Sequence, residues 1–153
     1  MNTVRRRSRV GTMSARDKPE AITAEVVASV RRKTGMPVLQ CKRYLEQLPP
    51  ADYAKFMAAI DRQHGRILHD PIEDDPAYAS IFEEVAREAE SLIDQQIQER
   101  QRELRASGME HMASMARRGA CHGIWHTMQR LLRERHGIEW RTPAQMNPGV
   151  CFD

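Results

Sequence analysis

The sequence predicts an all-α protein: a UBA-like three-helix module, a long antiparallel helical hairpin and an irregular C-terminal strap. Three observations carry this prediction. Apolar residues recur at helical spacing between residues 22 and 136, and no alternating β-branched run interrupts them. Thr34-Gly35, His64-Gly65, Ser107-Gly108 and Gly137 fall where those patterns would stop, and glycine is the usual residue there because it takes a left-handed conformation without steric cost. Beyond Gly137 the periodicity is lost and prolines take over.

The segments follow in order. Residues 1–20 read as a disordered basic tail, with Arg5, Arg6, Arg7 and Arg9 among serines and almost no apolar side chains. Met13 is an alternative start to Met1, and the acid-free first sixteen residues are faintly similar to a mitochondrial presequence. Residues 21–65 form the module. Its first helix has Thr23 as N-cap, an apolar face of Ile22, Val26, Val27 and Val30, and Gly35 as its stop. Pro37 then takes the first helical position of the second helix, whose buried face is Val38, Leu39, Cys41, Leu45 and Leu48. A third helix follows through Asp52, Lys55, Met57 and Ile60.

Residues 66–75 read as a linker, pinned by Ile67, Leu68 and Ile72. Residues 76–137 read as the hairpin. Asp75-Pro76 starts its first helix as N-cap and first-turn proline, and a stripe runs through Ile81, Val85, Ala89, Leu92, Ile93, Ile97 and Leu104. The second helix runs from Met109 to His136 with the stripe Met109, Met112, Ala116, Ala120, Ile124, Met128 and Leu131, while Gly119 and Gly123 bare a face for close helix approach. A continuous rod through Gly108, which would need a second chain to cover its stripe, is the alternative. Residues 138–153 form a strap anchored by Trp140, Val150 and Phe152.

Charge is segregated rather than uniformly basic. Residues 66–99 hold ten acids against two bases, and residues 100–141 hold nine bases against four acids. An antiparallel hairpin would set the acidic start of the first long helix beside Arg130, Arg133 and Arg135 of the second, so the segregation has a reason within the chain itself. The three cysteines form no disulfide framework, and no apolar run is long enough for a membrane span or a secretory signal, which points to the cytoplasm.

Ile22-Thr23-Ala24, Arg31, Thr34-Gly35, Cys41-Lys42 and Leu45 resemble the N-terminal domain of elongation factor Ts, a three-helix bundle of the ubiquitin-associated (UBA) type. The resemblance covers about residues 21–64 and implies a surface like the one by which that family contacts elongation factor Tu. The sequence departs from the family by Pro49-Pro50 in the second loop, by Tyr44 and Phe56 in place of alanines, and by lacking a Thr-Asp-Phe-Val exchange motif, so nucleotide exchange is not implied. Val30-Arg31, Thr34-Gly35, Lys42 and Leu45-Glu46…Pro49 also resemble the helix pair of the ribosomal stalk protein's C-terminal domain, which would need flanking strands.

The expected function is protein binding by a non-catalytic adaptor. Its surface would be Thr34, Gly35, Met36 and Pro37, with Arg31, Lys42 and Arg43 orienting another protein, elongation factor Tu among the candidates. The alternative is nucleic-acid binding through Arg5, Arg6, Arg7 and Arg9 of the tail together with the basic helices of the helix-turn-helix, because clustered arginines release counterions on a phosphate backbone. His122 and His126, one helical turn apart with Cys121 beside them, are the candidate metal ligands, but the residue after His122 is Gly123 and the HExxH base is missing. No metal or cofactor is expected, nor a phosphate loop or nucleophile elbow, and the oligomeric state is left open.

Overall fold

The computed structural model describes residues 18–152. Among them the chain is all-helical: α1 (Ala24–Thr34), α2 (Val38–Gln47), α3 (Pro50–Arg62), a single 3₁₀ turn (Pro71–Asp74), α4 (Ala79–Ala106), α5 (Glu110–Met115), α6 (Ala120–His136) and α7 (Pro143–Met146). No described helix is long and apolar enough to cross a membrane.

The helix ends follow from the capping chemistry. Thr23 Oγ1 accepts from the Val26 N–H, and Gly35, at φ 75°, stops α1 with its own N–H on the Arg31 carbonyl. Pro37 sits one residue earlier than expected: it caps α2 with extended backbone and lends its carbonyl to the Cys41 N–H, so the helix begins at Val38. At the other end, Lys18 Nζ donates to the Glu46 and Leu48 carbonyls, placing a cation where the α2 dipole is negative.

Two apolar clusters hold the chain together. The first gathers Val27 and Val30 of α1, Cys41 and Leu45 of α2, and Phe56, Met57 and Ile60 of α3, together with Met36, Leu68 and the strap's Met146. The second joins Val85 and Ala89 of α4 to Met128, Leu131 and Leu132 of α6, closed by Ile138 and Trp140. Tyr44 meets Phe56 edge to face at 5.0 Å, which is how the two aromatics fit between these helices.

α4 and α6 run antiparallel: Glu88 pairs with Arg135 and Ile93 lies against Gly123, so one number rises as the other falls. Arg135 grips Glu88 through both guanidinium nitrogens at 2.6 and 2.8 Å, and Arg117 reaches Asp94 at 2.9 Å. Of the three arginines expected beside the acidic helix, Arg135 makes the cross-helix ion pair, whereas Arg130 pairs with Glu134 on its own helix.

Four details differ from the sequence pattern. The Asp75-Pro76 signal builds a turn, with Asp75 Oδ1 accepting from the Ala77 N–H, and α4 starts only at Ala79. The second long helix is broken into α5 and α6, because Gly119 adopts φ 72° and leaves the helical region. Only Gly123 bares a helix face, with the Ile93 side chain within 3.2 Å of where a Cβ would stand. Ala113, rather than Met112, faces inward on α5, which leaves Met109, Met112 and Met115 exposed.

The strap ties the two clusters to each other. Thr142 and Gln145 form a capping box around α7, which drives Met146 into the first cluster, while Trp140 fills the second. Asp70, fully buried, accepts from Lys55 Nζ at 3.1 Å and from the Arg141 N–H at 2.8 Å, and Lys55 also donates to the Glu139 carbonyl. Arg141 completes the knot on Asp52 at 2.7 Å and on the Tyr44 hydroxyl at 3.0 Å. Of the expected anchors, Trp140 is buried and Phe152 half-buried, but Val150 is exposed and Met146 takes its place.

Candidate partner-binding groove

On α1, Ala24, Val27, Ala28 and Arg31 stand at i, i+3, i+4 and i+7 and so share one flank of the helix. On α2, Val38 and Lys42 are one turn apart and face them across a gap. Together with Ile22 these side chains line an apolar groove of about 350 Å³. Beyond Ile22 and Lys42 the groove continues into a polar hollow reaching Lys18, Glu20 and Glu46. The small alanines keep the α1 wall low, while Arg31 and Lys42 supply positive charge at the rim.

Val38 and Leu39 were expected in the buried face of α2 and are not there. Cys41, Leu45 and Leu48 carry that face, whereas Val38 is 47% and Leu39 69% exposed. Val38 sits at the edge of the apolar arc, and Leu39 lies about 100° further round the helix. The first turn of α2 therefore overhangs the core and presents apolar surface outward.

The loop residues expected to make the contact serve the fold first. Met36 is only 5% exposed and points into the first cluster, so its side chain cannot meet a partner. Thr34 Oγ1 donates to the Val30 carbonyl and accepts from the Met36 N–H, and Arg31 Nε donates to the Met36 carbonyl. Gly35, Pro37, Lys42 and Arg43 are exposed, and Lys42 makes only a loose 3.8 Å pair with Glu46. The exposed apolar surface here thus lies at the start of α2 and on the flank of α1 rather than on the loop. Helical spacing sets Leu39 well away from Cys41 and Leu45, in keeping with its exposure.

The remaining candidates resolve as follows. Arg5, Arg6, Arg7 and Arg9 lie outside the described residues. His122 Nε2 is 3.1 Å from the Phe152 carbonyl oxygen, and its ring meets Trp125 edge-on, which in turn meets Phe152 edge-on. These contacts hold the end of the strap on α6. His126 is exposed and Cys121 half-buried, and among the described residues no group of three His, Cys, Asp or Glu side chains is placed to hold a metal. Burial raises the Cys41 thiol pKa above its ordinary value, with Arg31 a lesser opposing influence, so the thiolate form is disfavoured and Cys41 behaves as core.

No protein-family model, curated protein or solved structure matches this chain.

Proposed function

We propose that the chain is a non-catalytic protein-binding module that docks its partner in the groove between α1 and α2. One observation carries this: Val38 stands exposed in the wall of an apolar groove that Arg31 and Lys42 also line, and Leu39, the next residue along α2, extends the exposed apolar surface. Apolar floor with a cationic rim suits a partner surface of apolar side chains edged by carboxylates. Burial would supply the affinity and charge the orientation.

The resemblance of residues 21–64 to the factor Ts N-terminal domain makes elongation factor Tu the partner to try first, in a translation-related adaptor role. Without the Thr-Asp-Phe-Val motif the expected outcome is docking without nucleotide exchange. The test immobilises the full chain and measures binding of purified factor Tu by surface plasmon resonance, beside the variants Leu39→Asp and Lys42→Glu. Saturable binding weakened by both substitutions is expected. Binding that neither variant changes would exclude this groove, and absence of binding would exclude factor Tu as the partner.

A further inference from the structure

The far end of the hairpin carries a second groove that the core does not explain. α4 rises about 1.5 Å per residue over 28 residues, so its C-terminal end stands about 40 Å from its start. There, Arg100 and Leu104 of α4 and Met112 and Met115 of α5, with Ala116, line a hollow of about 360 Å³. Met112 is 53% exposed, and Met109 and Met115 are also open to solvent, although α5 is only six residues long. A short helix that turns Met112 and Met115 outward, with Met109 exposed at its N-cap, forgoes the burial that would stabilise it, so the face calls for an occupant.

Charge decides what kind. Among the described residues, Arg100 is the one charged side chain lining the hollow. At this end of the hairpin Arg105 pairs with Glu110 and Arg117 with Asp94, while Arg102 and Arg118 leave an excess of positive charge that favours an anionic partner. Arg100, on the edge of the hollow, is paired with Glu103 at 3.2 Å, but both side chains are 62% exposed. Such a pair contributes little, and its guanidinium can exchange onto a partner's carboxylate. The concavity matters equally: a hollow walled by α4 and α5 accepts side chains projecting from a helix. Methionine, unbranched and polarisable, adapts to their shapes.

We infer that this hollow docks an acidic amphipathic helix of a partner protein, whose apolar side chains enter between Met112 and Met115 while a carboxylate of its polar face meets Arg100. The inference stands apart from the α1–α2 groove, which has no exposed methionine and lies on the other part of the molecule.

That difference provides the test. The full chain is labelled with ¹³C at its methionine methyls and titrated with a synthetic helical peptide bearing leucines on one face and glutamates on the other. Its counterpart with lysine in place of every glutamate serves as control, and phosphatidylserine vesicles form a third arm. The acidic peptide is expected to shift the Met112 and Met115 methyl signals, and the lysine peptide to leave them in place. Arg100→Glu and Met112→Glu are each expected to weaken peptide binding about tenfold, the size of effect seen when one contact at the centre of an interface is lost, with the helical circular dichroism unchanged. Shifts confined to buried methionines such as Met36 and Met57, or equal response to both peptides, would overturn the inference. So would a response of Met112 and Met115 to the vesicles alone, which would assign the face to a lipid surface.

Discussion

Asn147 clamps the backbone of Leu68 in both directions. Its Oδ1 accepts from the Leu68 N–H at 2.7 Å while its Nδ2 donates to the Leu68 carbonyl at 2.6 Å. Both residues are buried and 79 positions apart, so the pair fastens the strap to the segment between α3 and α4. Asn147→Ala would leave a buried donor and a buried acceptor unsatisfied. It should therefore cost about 1–3 kcal/mol, read from the midpoint of urea unfolding. Asn147→Asp turns a carboxylate oxygen onto the Leu68 and Pro143 carbonyls in a buried site, so at neutral pH it should cost at least as much as alanine.

Two glutamates respond to pH with opposite sign. The Glu88 carboxyl is held below the ordinary glutamate value of 4.5, chiefly by the hydrogen bonds from Arg135. Its contribution to stability is complete above the ordinary value and fades as pH falls through the lowered one. Glu73 is pushed the other way. Although much of the residue reaches solvent, its carboxyl lies against Trp140, and desolvation raises its pKa despite the indole N–H donated at 2.8 Å. Ionising Glu73 therefore works against the fold as pH rises from the ordinary value through the raised one. Glu73→Gln keeps an acceptor for Trp140 and removes that penalty, so at neutral pH it should match or exceed the wild type in thermal stability. Carboxyl NMR titration should place the two residues on either side of 4.5, and Arg135→Ala should return Glu88 towards it.

Close packing at Gly123 sets a size limit. A Cβ there would stand 3.2 Å from Ile93 Cδ1, the mobile end of a side chain. Gly123→Ala gains helix propensity and asks only a small shift of Ile93, so it should be close to neutral. Gly123→Leu overfills the contact and should destabilise by about 1–3 kcal/mol, seen as a lower midpoint in chemical unfolding.

Helix existence was legible wherever capping residues and apolar period agreed, as from Thr23 to Gly35 and at Gly137, where a left-handed glycine ends α6. Gly119 was not, because a glycine inside an apolar period looks the same whether it bares a helix face or breaks the helix. The structure has one of each, at Gly123 and Gly119. The strap was legible as irregular chain with anchors, but the Thr142–Gln145 capping box and the partners of Asp70 were not, since each depends on residues distant in sequence. Arg31 and Lys42, read from the sequence as orienting charges, line the groove, but the groove itself was not legible, because the gap beside Val38 depends on how α1 packs against α2, which spacing does not encode.

Met36 and Leu39, three residues apart, should separate stability from binding. Met36 is nearly buried in the first cluster, and Met36→Ala leaves a cavity there that should cost about 2–5 kcal/mol. Leu39 stands 69% exposed, so Leu39→Asp removes little buried surface and should change stability by less than about 0.5 kcal/mol. If the groove beside Leu39 is the docking surface, only the second substitution should abolish binding by a chain that remains fully folded at the temperature of the assay. Measuring both variants by thermal unfolding and by partner binding decides the matter. A folded Leu39→Asp chain that binds as tightly as the wild type would place the contact elsewhere, with loss of binding in Met36→Ala then tracking unfolding alone.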